Sequence, residues 1–262
     1  MAATLKRPKP YRGRFLLAYA ALAASVGAGI GGLVVVLTGS HPAKHVVPAA
    51  RAHPWSVWAP TSSAPEARAR EIAEHVARTY RLPNGDQLLD VTARPPIIPT
   101  GTNTKPVPIS YVIVKGVRGK RDEQTAIKPK NSELYNLCGL GNQCLIPIGK
   151  PSPERLRLIR RESLELALYT FKYVDGVKYV ITVLPPIRGV STAAALYFHR
   201  KDLDPQLRRP LARTLMVRPR ISRIAPREDA LIDRLTKPHM FRLTLVGSQQ
   251  GYAILGLTPL SS

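Results

Sequence analysis

From Phe15 to Thr38 the chain runs through 24 residues whose one ionisable side chain is Tyr19. At a rise of about 1.5 Å per residue this makes a helix of about 36 Å, long enough to cross a hydrocarbon core of about 30 Å with some tilt. A cleavable signal peptide has a shorter apolar run, of about 7–15 residues, and Ala50-Arg51-Ala52, which imitates its cleavage site, lies well past this one. The pattern therefore predicts an uncleaved transmembrane helix over 15–38. Lys6, Arg7, Lys9, Arg12 and Arg14 precede it, whereas only Lys44 and Arg51 follow closely. Positive charge stays inside, so residues 1–14 are expected as a basic cytoplasmic tail of a single-pass cell-membrane protein, with the bulk of the chain extracytoplasmic. Gly27 and Gly31 form a GxxxG that lets two helix backbones meet, a homodimer contact; the plainer account is the general abundance of glycine in membrane helices.

Beyond the span, residues 39–62 keep no apolar period and read as a tether. Trp55 and Trp58 in it suit either a membrane interface or packing on the domain. Residues 63–262 carry the periodic elements. Ser63-Ala64-Pro65-Glu66 has the form of a capping box, and Ala69, Ile72, Ala73, Val76 and Tyr80 then recur as one helical face. Strands are expected at 87–92 and 109–114, separated by a loop holding five prolines. A second helix opens on Ser152 and Pro153 and turns almost wholly apolar in its later half, followed by buried strands at 177–184 and 193–198. A basic link over 204–215, predicted helical, leads to a third helix at 226–236. Alternation at Phe241, Leu243 and Leu245, then a Gly-bounded turn and Tyr252 to Leu257, predicts a terminal hairpin. Helix, strand, strand recurs three times, which predicts an α+β domain with a mainly antiparallel sheet.

Charge changes the picture most. The formal charge is +22, and residues 1–39 hold five basic residues and no acid, so about +17 belongs to the remainder. Such a field attracts anionic polymers and headgroups, although a basic codon bias yields the same number without a ligand. Its densest stretch is Arg208, Arg209, Arg213, Arg218, Arg220, Arg223 and Arg227, with no acid from Gln206 to Arg227. Guanidinium forks match phosphate oxygens. No aromatics interleave with them, so a specific nucleic-acid partner is not expected.

Cys138 and Cys144 are the whole cysteine count, and in an oxidising compartment they are expected to pair. Their spacing is neither the C-x-x-C of redox sites nor part of a zinc set, so no metal is expected. Glu162 and Glu165 could divide acid and base roles on one helix face, but an ordinary Arg161–Glu165 pair is the simpler reading. His199 and His239 flank apolar strands without a triad around them. Phosphate-loop and nucleophile-elbow patterns are missing. No catalytic residue and no cofactor is assigned.

The string LCGLGNQC from Leu137, continuing through GKPSPERLRLIRRESLELALYTFKYVDGVKYVITVLPP to Pro186, resembles uncharacterised single-span membrane proteins of actinobacteria, more weakly so at Lys201-Asp202-Leu203 and Arg209-Pro210-Leu211. That resemblance carries no activity; it implies a cell envelope with a thick wall. The expectation is a non-enzymatic, membrane-anchored envelope protein whose basic outer domain binds an anionic polymer, a lipid surface or an acidic protein. An envelope-modifying enzyme using Glu162, Glu165 or His199, or an accessory of a secretion or conjugation apparatus, are the alternatives.

Overall fold

A computed structural model describes residues 54–260 apart from 83, 94–108, 117–122, 147–150, 187–192, 217–218, 220–225 and 248–251. The expected span, with Gly27 and Gly31, lies outside the described residues, and among those no helix is long and apolar enough to cross a membrane.

Three helices, α1 (Pro65–Thr79), α2 (Pro153–Tyr173) and α3 (Pro226–Thr236), lie against an eight-stranded sheet. The strands are β1 (Asp90–Ala93), β2 (Ile109–Lys115), β3 (Gln124–Ile127), β4 (Ser132–Cys138), β5 (Tyr179–Val183), β6 (Ala193–His199), β7 (Met240–Gly247) and β8 (Ala253–Pro259). Their spatial order is β1-β4-β5-β6-β7-β8-β2-β3. The fold is α+β, and the sheet is mainly antiparallel: β4–β5 and β2–β8 are its parallel pairs. A parallel neighbour needs a crossover, and α2 supplies it between β4 and β5.

The second and third expected units form as read: α2 with β5 and β6, and α3 with the β7–β8 hairpin, where Phe241 pairs with Pro259 and Leu243 with Leu257. The first does not. β1 pairs with β4, and β2 with β8 and β3, so its two strands sit at opposite ends of the sheet. The threefold order fails because β3 and β4 intervene. Neither strand has a local signal, since Gln124, Thr125, Ser132, Glu133 and Asn136 interrupt any apolar run.

The sheet curls. In a flat sheet, β4 and β2 would stand about 24 Å apart at roughly 4.8 Å per strand; here Leu134 and Val112 line one cavity. Alternate side chains consequently enter two apolar layers. In β6, Leu196 and Phe198 face the helices, while Ala195 and Tyr197 point into the curl beside Ile181, Phe241 and Leu255.

Helix α1 buries the predicted face, but the capping box is absent: Ala64 stands at the cap, Pro65 occupies the first turn, and Glu71 instead accepts from Thr61 N at 2.6 Å. α2 begins as read, with Ser152 Oγ accepting from Arg155 N at 3.2 Å. Its burial is not confined to the later half, since every residue from Leu158 to Phe171 is buried. The basic link is only in part helical: one α turn at Asp204–Leu207, then a tight turn at Leu211–Arg213.

Candidate functional site

The acids singled out in the sequence are interior. Arg161, 1% exposed, is the hub: it donates from Nε to Glu228 at 2.7 Å, to Glu165 at 3.1 Å, to Tyr80 Oη, and to the Met216 carbonyl at 2.6 Å. Tyr80 Oη in turn donates to Glu165 at 2.6 Å. The neighbouring Arg160 pairs with Asp233 and donates to Thr236, and Arg157, one turn earlier than Arg161, reaches Asp229 at 2.6 Å. Three helices are thus joined by a charge network that is buried at Arg161 and half-buried at its outer end, because the arginines of α2 meet acids that α3 brings from more than 60 residues away.

Glu162 has no such partner. It is fully buried, and neither carboxylate oxygen has a hydrogen-bond partner among the described residues. Burial, reinforced by Glu165, raises its pKa well above the ordinary 4.5 and so favours its neutral form. Burial likewise raises Glu165, against the opposing pull of Arg161. Both acids lie inside the helix layer; the expected Arg161–Glu165 pair is present, but it is core structure rather than a surface pair. His199 stacks on Tyr179, and His239, its pKa lowered by burial, sits beside Phe198.

A carboxylate with no signal in the sequence, Glu133, does face open space. A cavity of about 340 Å³ lies where the curled sheet meets the first turns of α1; Val112, Leu134 and Ile181 form its apolar wall, and Glu66, Arg70 and Glu133 its charged one. Burial holds the Glu133 carboxyl up at about 7, with a backbone hydrogen bond from Leu134 pulling the other way and Glu66 adding to the rise. A lone acid in an unrecognised strand offered no signal.

Of the seven stretch arginines, Arg218, Arg220 and Arg223 lie outside the described residues. Arg208, Arg213 and Arg227 are exposed, and the half-buried Arg209 donates from Nε to Thr214 at 3.0 Å. Arg208 approaches Asp204 only at 3.9 Å.

The two tryptophans are set into the folded domain. Trp55 stands edge-on to Tyr169 and Tyr173 at 5.5 and 5.8 Å, and Trp58 stacks on His75 at 3.9 Å. The Trp55 carbonyl accepts from Leu211 N at 2.7 Å, which fastens the start of the domain to the middle of the basic link. The stretch read as tether is therefore packed structure from Pro54 onward.

Cys138 and Cys144 are disulfide-bonded, as expected. The closed loop is tight: Gly139 N donates to the Cys144 carbonyl at 2.8 Å, and a Cβ on Gly139 would meet Leu145 backbone atoms at 2.3 Å. Among the described residues no three His, Cys, Asp or Glu side chains gather as metal ligands would.

The class defined is thus an α+β domain with a curled sheet, a charged helix layer and a basic link. No family model, curated protein or solved structure matches the chain.

Proposed function

We propose that the chain is a membrane-anchored, non-enzymatic envelope protein whose basic folded part binds an anionic partner. The observation that supports it is the placement of the acids. Past residue 39 there are 34 basic and 17 acidic residues. Three of those arginines (157, 160, 161) and five of those acids (Glu162, Glu165, Glu228, Asp229, Asp233) are gathered in the helix layer. The rest of that region keeps 31 basic residues against 12 acids, so the helix layer takes up more acids than bases and the excess of positive charge outside it is the greater. Burial of Glu162 and Glu165 also withdraws two of the three side chains on which an acid–base enzyme was to rest.

The test is retention of the full chain, in neutral detergent, on immobilised polyphosphate. Binding at low salt that is lost at about 0.5 M, where the screening length falls to only a few ångströms, is the expected outcome. Passage straight through the low-salt column would refute the reading.

A further inference from the structure

The Trp55–Leu211 hydrogen bond bears on which anion is met. It fixes the first packed residues of the domain to the link that carries Arg208, Arg209 and Arg213, three residues before to two residues after Leu211. If residues 15–38 cross the membrane, 15 residues, 39–53, join the span to this corner. At no more than about 3.6 Å each, they limit its distance from the bilayer to roughly 50 Å. That leash carries Lys44 and Arg51 and no acid.

The corner itself is amphipathic. Val57, two residues past Trp55, is 95% exposed, and Met216, the residue just after the link, is 41% exposed. Lys172 adds a cation 5.8 Å from the Trp55 ring centre. Exposed apolar side chains a few residues from exposed cations suit a headgroup layer better than a soluble polyanion, which offers the apolar groups nothing.

We propose that this corner, through Arg208, Arg213 and Lys172 with Val57 and Met216, docks on the anionic lipid headgroups of the membrane that anchors the chain. The proposal rests on the anion-binding reading above and narrows it to lipid phosphate.

Trp55 and Trp58 are the only tryptophans in the chain, so its own fluorescence reports on this corner. The full chain is reconstituted into vesicles of phosphatidylcholine, alone or with about one-third phosphatidylglycerol, each brominated near the headgroup. The expected result is quenching on the order of two-fold stronger with the anionic lipid at low salt, reversed by high salt and by the double variant R208E/R213E. Those two side chains are exposed, and an unchanged circular dichroism spectrum shows that the variant is folded. Equal quenching in both vesicles overturns the proposal, as does a lipid dependence that the double variant keeps. If polyphosphate retains the chain while the vesicles show equal quenching, the anion-binding reading survives and the lipid assignment fails. If neither responds, both fail.

Discussion

Two arginine groups, Arg157, Arg160 and Arg161 on α2 and Arg208, Arg209 and Arg213 on the link, look alike along the chain and differ in what surrounds them. The first group is drawn into the helix layer, where Glu165, Glu228, Asp229 and Asp233 meet it. In the second, Arg208 and Arg213 stay exposed, with one distant acid near Arg208. The difference does not come from the arginines. It comes from α3, whose acids meet the arginines of α2, while beside the link Glu228 takes up only the backbone N–H of Met216. Charge density along a sequence therefore says little about whether a charge holds the fold together or faces a partner.

The comparison is broken most directly at Arg161. Replacing it by Met leaves Glu165 and Glu228 buried without their cation, and should cost about 3–5 kcal/mol, read as a lowered urea midpoint of the full chain in detergent. Arg213→Met should change the stability read from that midpoint by no more than about 0.5 kcal/mol. Similar losses at the two sites would erase the distinction.

Between those extremes lies the Cys138–Cys144 loop. Its removal by the C138S/C144S double variant should cost about 2 kcal/mol from the lost restriction on the unfolded chain, while leaving polyphosphate retention unchanged. A loss of retention would tie the loop to the binding surface.

Glu162 sharpens the same contrast from within the buried layer. Met has nearly its volume and no oxygen atoms to leave unpaired, so Glu162→Met should stabilise the domain by about 1–2 kcal/mol. The pH dependence has a definite sign. Burial raises the folded pKa of Glu162 above the ordinary 4.5, so its contribution is fullest below that value and declines as pH rises toward the folded pKa. Wild type should lose stability more steeply than the Met variant as pH rises above 4.5. Parallel pH profiles would show that Glu162 has a partner.

The smallest stability effect is expected for R208E/R213E, below about 0.5 kcal/mol, together with the largest loss of anion binding. A midpoint shift as large as that of the disulfide variant would mean that the link's charges also serve the fold.

Legibility followed periodicity. The buried face of α1, the Ser152 cap of α2 and the β7–β8 hairpin were readable because each depends on residues close in sequence. The missing capping box shows the limit: Ser63 and Glu66 have the right spacing, but Glu71 takes up the backbone at Thr61 and Ser62 instead. β3 and β4 were illegible because their polar positions are tolerated by the curl rather than by local pattern. Glu133, the carboxylate at the cavity, was lost with them. Trp55 and Trp58 allowed two readings until Tyr169, Tyr173 and His75 gave them partners.

By itself, then, the sequence determined the helices α1, α2 and α3, the strand pairs at its middle and end, the cysteine pair and the excess of positive charge. These follow from local spacing and composition, which act over a few residues. Tertiary structure alone decided which charges are buried, where β1 and β2 pair, and that the chain joins its domain beside the basic link. Each of those depends on groups brought together from tens of residues apart, through packing that no local pattern records.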